Sequence, residues 1–169
     1  GVTIPPHSIY ASVLGGQGAA IAEALYRKKD AGCGTAGNTV VSYTDEALGL
    51  YPGEVTYNYR IQRPAPLRFG VQVTIRESTA IPADYEDRIR DALVANFSGA
   101  DGTVRVRVAS VVYASRFYCP VISSGVPDLV AVKLAAPAGS GWADQISIRA
   151  DQAPVLDADD ISIIIERQP

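Results

Sequence analysis

The segment QRPAPLR, at residues 62–68, is the feature that most constrains the fold. Pro64 and Pro66 have no backbone N–H group, so neither can donate a hydrogen bond to a β-sheet, and each restricts the residue before it to extended conformations. Patterns typical of strands and helices lie on both sides of this segment. The sequence therefore predicts two small modules, at residues 1–63 and 64–169, with the boundary in this proline-rich connector.

The first module is predicted to contain the elements β-α-β-β. Residues 7–14 place apolar side chains on alternating positions, as a strand does. Residues 19–29 are rich in strong helix formers and end in basic residues, which the negative end of a helix dipole favours. Gly32 is expected to cap this helix. Residues 38–44 and 55–61 are predicted as two further strands.

The second module opens with an amphipathic strand whose apolar positions alternate: Phe69, Val71, Val73 and Ile75. A helix is predicted next, with Pro82 in its first turn and acidic residues near its positive end. Apolar residues recur every four positions along this helix and are expected to face the core: Tyr85, Ile89, Leu93 and Phe97. Gly99 and Gly102 are expected to end it.

The rest of the second module is predicted to contain four strands and one short helix. The strands lie at residues 103–108, 129–134, 145–150 and 161–166. Ser110 is expected to cap the short helix, which runs to about residue 118 before Pro120 ends it. Because strands are grouped rather than alternating regularly with helices, the fold class is α+β. Each module is expected to hold a mostly antiparallel or mixed sheet, with one or two helices packed on a face.

The composition narrows the function classes. The chain has 169 residues and a net charge of −3, which argues against a nucleic-acid binder, because such proteins normally carry a basic excess. No apolar run approaches the roughly 20 residues that span a bilayer, and the start lacks the features of a signal peptide. The chain begins with Gly1 and contains no Met, so we expect it to be part of a longer protein.

The sequence GGQG, at residues 15–18, stands between the first strand and the first helix, where a phosphate-binding loop would lie. A dinucleotide fingerprint needs a small residue at its last position, and that position is Ile21 here. Asp45 follows the next strand, where a ribose-binding acid could lie, but no second βαβ unit is predicted. The pattern therefore favours a tight turn, which glycine permits, over a nucleotide site.

His7 is the only histidine, so a Ser-His-Asp or Cys-His arrangement would have to include it. Ser8, Cys33 and Cys119 are the possible nucleophiles. A structural histidine at the start of a strand is the favoured interpretation, and both cysteines are expected to be free thiols. A structural zinc site needs four nitrogen or sulfur ligands, which this chain does not offer at suitable spacing.

Two acidic clusters invite a functional interpretation: Asp157, Asp159 and Asp160, and Asp84, Glu86 and Asp87. The first lacks the glycine of a calcium loop and is predicted to be a solvated turn. The second could supply a glycosidase carboxylate pair, but the first turn of a helix already explains it. Asn96 begins a glycosylation sequon, which carries little meaning without a secretory signal.

Aromatic residues are dense around two strands and around the short helix: Tyr43, Tyr51, Tyr57, Tyr59, Tyr113, Phe117 and Tyr118. Tyrosine suits protein interfaces because it combines a large contact area with a polar tip. Ordinary strand packing is the favoured interpretation. The residues therefore predict a non-catalytic α+β protein with no catalytic, cofactor-binding or metal-binding residues, and they assign no partner-contact residue.

Five segments carry a family resemblance: PPHSIYASVLGG (5–16), IAEALYRKKDAGCGTAGNTVVSYTD (21–45), IQRP (61–64), VYASRFYCPV (112–121) and DQAPVLDADDISI (151–163). In this order they resemble the baseplate J-like family of contractile phage tails and related prophage or tailocin particles. The first two segments together are the most specific, and the five are spread between residues 5 and 163. Full-length members are longer, so the chain resembles their C-terminal part.

The resemblance implies a scaffold role in the tail baseplate, as a wedge component that is made in the host bacterial cytoplasm. The implied partners are other baseplate proteins and further copies of the chain, with no nucleic acid, membrane or small-molecule substrate, and no cofactor. A baseplate component of another contractile injection machine is the alternative within this class. A ligand- or carbohydrate-binding module that uses the tyrosine-rich strands is a second alternative, and a hydrolase that uses His7 is a third.

Overall fold

The computed structural model of the chain describes residues 3–45 and 55–167. The chain divides into two compact units, Gly1–Ala65 and Pro66–Pro169. This division falls inside the proline-rich connector at residues 62–68. Both units combine helices with small sheets, most of them two-stranded and one of them a mixed sheet of three strands. This confirms the α+β fold class. No helix in the described ranges is long and apolar enough to span a bilayer.

The first unit is built around one helix and one hairpin. Its elements are β1 (Ser8–Tyr10), α1 (Gly18–Lys28), β2 (Gly34–Ala36), β3 (Thr39–Asp45) and β4 (Val55–Ile61). Strand β1 pairs with β2 in parallel, and β3 pairs with β4 antiparallel. Helix α1 packs on the β3–β4 hairpin, and the buried side chains between them are Ala22, Val41, Tyr59 and Ile61.

Two predictions for the first unit were wrong in their details. The strand predicted at residues 7–14 ends at Tyr10, because the chain then makes a single bridge to the end of β4 rather than a ladder. In that bridge the N–H of Gln62 donates to the carbonyl of Ala11, at 2.8 Å. Gly32 does not cap α1, because the helix ends at Lys28 and Lys29 is already extended.

The second unit is larger and contains most of the strands. Its elements are β5 (Ala65–Arg68), which starts at the unit boundary, β6 (Gly70–Arg76), α2 (Tyr85–Ser98), β7 (Val111–Tyr113), α3 (Tyr118–Ser123), β8 (Leu129–Ala135), β9 (Gln145–Ser147), β10 (Gln152–Val155) and β11 (Ile161–Glu166). Two 3₁₀ turns lie at Ala114–Phe117 and Ala158–Asp160. Strand β6 is central, with β11 parallel on one side and β8 antiparallel on the other. The remaining strands form the pairs β7–β9 and β5–β10.

One face of the β6 sheet and one face of α2 make the core of the second unit. Strand β6 contributes alternate residues, Val71, Val73 and Ile75, and all three are fully buried. The helix contributes the predicted set at four-residue spacing: Ile89, Leu93 and Phe97 are buried, and Tyr85 packs at the edge. Gly99 ends α2 with φ +79°, in the left-handed conformation that glycine adopts without strain. The amphipathic pattern therefore predicted this core correctly.

Several predictions for the second unit were wrong. Helix α2 begins at Tyr85, so Pro82 lies in the turn before it rather than in its first turn. Residues 103–108 form no strand, because no neighbouring strand supplies a ladder. The strand predicted at residues 145–150 ends at Ser147. The segment predicted as one short helix, at residues 110–118, is instead β7 followed by a 3₁₀ turn.

Pro120 does not end a helix, as the sequence had predicted, but lies in the first turn of α3. A proline is tolerated there because the backbone N–H groups of a first helical turn have no partner within the helix. Ser110 likewise caps no helix. Its hydroxyl donates to the carbonyl of Arg107, at 2.6 Å, and so closes the turn that leads into β7.

Candidate functional site

The glycine loop before α1 is held by an arginine. Gly15 and Gly16 adopt φ +74° and +79°, which a glycine permits. The guanidinium of Arg63 donates to the carbonyl oxygens of Val13 at 3.2 Å, of Gly16 at 2.9 Å and of Gly15. A phosphate-binding loop turns its backbone N–H groups towards the ligand, whereas this loop turns carbonyl groups towards a cation of its own chain. The clamp by Arg63 therefore accounts for the loop as a structural turn.

An apolar groove of about 460 Å³ runs from this loop along α1. Small and apolar side chains line it: Ala11, Val13, Ala20, Ile21, Ala24 and Leu25. Lys28 is the only titratable residue among the lining residues. Ala20 and Ala24 are exposed, so this side of the helix is open. Such a surface can bury apolar side chains of another molecule, and Lys28 has no second titratable side chain beside it among the described lining residues.

The tyrosines of the first unit form a packed cluster rather than an open platform. The ring of Tyr26 lies 4.8 Å from that of Tyr43 and 5.0 Å from that of Tyr57, measured between centroids. Tyr59 is buried in the core, and this burial raises its pKa. The interpretation of strand packing is therefore confirmed for Tyr43, Tyr57 and Tyr59. Tyr51 lies outside the described residues.

Asp45 is used inside this cluster, not as a ribose-binding acid. The hydroxyl of Tyr26 donates to Oδ2 of Asp45 at 2.5 Å. This hydrogen bond, together with desolvation and the negative charge of Asp45, raises the pKa of Tyr26 from 10.0 to about 12. Asp45 itself is almost fully buried. Tyr26 was not predicted as a site residue, although it lies within the helix predicted at residues 19–29.

His7 and Cys33 are close together, but not as a nucleophile and base. The thiol of Cys33 donates to the backbone carbonyl of His7 at 3.2 Å, so the contact does not involve the imidazole. Cys33 and Cys119 are both free, as predicted. Across residues 3–45 and 55–167, no group of three His, Cys, Asp or Glu residues is arranged to hold a metal ion. The sequence-predicted candidates for hydrolysis are therefore not brought together as a catalytic set.

The acidic cluster before β11 is not simply a solvated turn. Asp160 ends a 3₁₀ turn and accepts two hydrogen bonds from Arg68, from Nε at 3.1 Å and from Nη2 at 2.7 Å. Only 8% of the side chain of Asp160 is exposed. The pair ties β5 to the start of β11. Asp157 and Asp159 lie in exposed positions, as the prediction for a turn required.

The acidic residues near the start of α2 are paired with arginines one turn later. Asp84 accepts from Arg88 at 2.8 Å, and Glu86 accepts from Arg90 at 2.8 Å. The hydrogen bond from Arg88 lowers the pKa of Asp84, and the hydrogen bond from Arg90 lowers the pKa of Glu86. A glycosidase needs one carboxyl group with a raised pKa to act as general acid. These carboxyl groups are therefore suited to stabilising the helix.

Asn96 is buried in a polar network at the end of α2. Its side chain donates to Asp101 at 2.8 Å and accepts from Nε of Arg116 at 2.7 Å. Arg116 also donates to the carbonyl oxygens of Asn96 and Val104, both at 2.6 Å. Hydrogen bonds from Thr103 lower the pKa of Asp101. Because the amide of Asn96 is 4% exposed and engaged, it is not accessible as a glycosylation acceptor in the folded chain.

The described residues thus offer an apolar groove and structural polar pairs, and every perturbed carboxyl pKa has a structural partner that explains it. The sequence matches none of the known family models, and comparison with curated proteins finds no significant match.

Proposed function

We propose that this chain is a non-catalytic structural component of the baseplate of a contractile tail, carried by a phage or prophage particle. Its role is to link neighbouring baseplate proteins. The resemblance of five ordered segments to the baseplate J-like family supports this proposal. The structural observation that carries it is the open apolar groove on the small first unit, which is suited to binding another protein.

The small size of the first unit supports a role for the groove in binding another protein. Helix α1 and the hairpin bury only a few side chains between them in the described residues, and the largest are Tyr59 and Ile61. A unit of about 60 residues buries a smaller fraction of its surface than a larger domain does, so its stability is marginal. Covering an apolar groove with a neighbouring protein adds about 25 cal/mol for each Å² of apolar surface removed from water. Docking into an assembly would therefore stabilise this unit.

The chemistry of the site supports a scaffold more than an enzyme or a ligand-binding module. His7, Cys33 and Cys119 do not form a catalytic set. Tyr43 and Tyr57 pack at a tilt against Tyr26, so the three rings form a packed cluster rather than a flat platform for a sugar. The groove residues are mostly apolar, and Lys28 is the one titratable side chain among its described lining residues. A surface of this kind gains free energy by excluding water, which is how protein interfaces gain most of theirs.

Immunogold electron microscopy tests the proposed location. Antiserum raised against this chain would be applied to contractile particles induced from the source bacterium. Gold is expected at the tail end that is distal to the head or sheath cap. Particles that remain unlabelled there, although denatured particles react with the serum on a blot, would contradict the baseplate role.

A matched pair of variants tests the groove. Ala24→Glu places a carboxylate in the groove at an exposed helix position, where Glu is a good helix former. Ala19→Glu makes the same change at an exposed alanine of α1 that does not line the groove. In a strain that lacks the native gene, Ala24→Glu is expected to reduce incorporation into particles at least about tenfold, which is 1.4 kcal/mol of binding. Equal incorporation of the two variants would remove the groove from the proposal.

A further inference from the structure

A cleft of about 410 Å³ separates two extended stretches of the second unit. One wall is the segment at residues 104–107, and the other is β7. A short turn joins them, closed by the hydrogen bond from the hydroxyl of Ser110 to the carbonyl of Arg107. Two such stretches joined by a turn would normally pair as a hairpin. Here no backbone hydrogen bond between them is present in the described structure, and the cleft lies between them.

Strand β7 turns an unpaired edge away from its partner β9. The carbonyl of Ser110 accepts from Ile148, and the N–H of Ala114 donates to Asp144, both at 2.8 Å. In an antiparallel pair, the residues that bond across the ladder alternate with residues whose N–H and C=O groups point to the other side. The backbone groups of Val111 and Tyr113 therefore point away from β9. The N–H and C=O of Val111 and the N–H of Tyr113 have no backbone partner within the described ranges, whereas the C=O of Tyr113 accepts the first hydrogen bond of the 3₁₀ turn that follows β7.

The opposite wall has the sequence of a strand but no ladder. Val106 points into the core, and its N–H donates to the carbonyl of Phe97 at 3.0 Å. Arg105 and Arg107, on either side of it, are exposed. This alternation is the pattern that predicted a strand at residues 103–108. The segment therefore has one buried and one exposed face, as a strand does, and the cleft lies where a paired strand would be.

The cleft is positively charged. Its lining contains Arg105, Arg107 and Arg116, and no Asp or Glu lines it among the residues that the structure describes. Arg116 is engaged by Asn96 and Val104. The guanidinium groups of Arg105 and Arg107 form no ion pair or hydrogen bond with any residue that the structure describes. Two free guanidinium groups thus stand beside an unpaired strand edge.

We propose that this cleft binds an extended, acidic peptide segment of another protein, which adds as a strand to the free edge of β7. The unpaired N–H and C=O of Val111 and the unpaired N–H of Tyr113 give the ladder, as in other cases of strand addition. Carboxylates on alternate residues of the peptide pair with Arg105 and Arg107, whose planar groups suit bidentate carboxylate contacts. The exposed ring of Tyr113 adds apolar contact at the rim. This proposal stands on the cleft alone and does not depend on the baseplate role.

The partner is inferred to be a peptide rather than a nucleic acid for two reasons. Free main-chain donors and acceptors on a strand edge match the main chain of another strand, not a sugar-phosphate backbone. The chain as a whole carries a net charge of −3, which repels a polyanion at a distance, whereas two arginines suffice for a short acidic strand.

Fluorescence anisotropy with a labelled peptide tests the proposal. The probe is a capped eight-residue peptide of alternating Val and Glu, and its partner probe has N-methyl groups on alternate residues, which remove the donors of the ladder edge. The variant is Arg105→Glu with Arg107→Glu. Its matched control is the double variant Arg60→Glu with Arg76→Glu, which changes two exposed arginines outside the cleft. The circular dichroism spectra of the two double variants must match.

The proposal predicts binding of the Val-Glu peptide at about millimolar concentration or below, weakened at least tenfold by the cleft variant and by N-methylation but less than threefold by the control. NMR shifts are expected at Val111 and Tyr113. Absence of binding up to several times that concentration would overturn the proposal. So would N-methylated peptide that binds equally well, or an oligothymidine that binds the cleft more tightly than the peptide does.

Discussion

The second unit spreads its apolar contacts over a three-stranded sheet, α2 and the segments around them, and its largest fully buried side chains include Phe69, Phe117 and Leu93. The first unit, by contrast, buries a few side chains under one helix and adds a tyrosine cluster that is fixed by one carboxylate. One unit is held by many interchangeable apolar contacts, the other by a few particular ones. Single substitutions should therefore act locally, and by different mechanisms, in the two units.

The largest loss of stability is expected from Phe69→Ala in the second unit. Phe69 is fully buried, with its ring centroid 5.4 Å from that of Phe97, and large-to-small changes of this kind cost about 3 to 5 kcal/mol. Urea unfolding followed by Trp142 measures it, because this is the only tryptophan of the chain. Ile164→Ala, at a part-exposed position of β11, is the control and should cost about 1 kcal/mol or less.

Hydrogen exchange of β3 and β4 shows whether the effect stays local. If Phe69→Ala weakened protection in this hairpin as much as in β6, the two units would not unfold independently.

A smaller loss of stability is expected from Gly37→Ala in the first unit. A Cβ at Gly37 would lie 2.1 Å from the carbonyl carbon of Ile61 and 2.6 Å from the nitrogen of Gln62. Backbone must move to admit it, at a cost of about 1 to 3 kcal/mol. Protection in β3 and β4 should fall while the Trp142 transition stays unchanged. Gly18→Ala, whose Cβ would make an ordinary contact with Val41, serves as control and should leave both unchanged.

The smallest expected change in stability depends on pH and involves the tyrosine cluster of the first unit. The hydrogen bond to Asp45 raises the pKa of Tyr26 from 10.0 to about 12 in the folded chain. A group whose folded pKa is raised contributes stability that is complete below pH 10 and is lost as the pH rises to about 12. Backbone NMR intensities of β3 and β4 should therefore fall over this range.

Tyr26→Phe removes this contribution and should flatten that part of the pH profile. Tyr113→Phe, at an exposed tyrosine, is the control and should leave the profile as it is. An unchanged profile in the Tyr26→Phe variant would show that the pair with Asp45 does not couple the first unit to pH.

Elements with a complete local pattern could be predicted from the sequence. Strands β4 and β11 begin and end where the sequence placed them, and α2 carries its core residues at the expected positions. In each case one face of a single element meets the core, so the period of apolar residues contains the information. Gly99 ends α2 because a left-handed residue is needed there, and that too is a local requirement.

Elements that depend on distant partners could not be predicted. Strand β2 has three residues and no period, and it exists because β1 lies beside it. Residues 103–108 have the period of a strand but no ladder, because tertiary contacts place them beside a cleft. The clamp of Arg63 on the glycine loop joins residues about 47 positions apart, and no signal in the sequence marks it. The groove and the cleft both arise from such long-range placement.

The parallel pairing of β6 with β11 has a consequence for the order of events during synthesis. Val71 pairs with Ile161, about 90 positions later, so the central sheet stays incomplete until nearly the whole second unit has left the ribosome. The first unit, whose hairpin joins strands close in sequence, can form while the second is still being made. During that interval β6 lacks one of its two strand partners and has an unpaired edge, and at this stage the nascent chain is most exposed to aggregation and to chaperones.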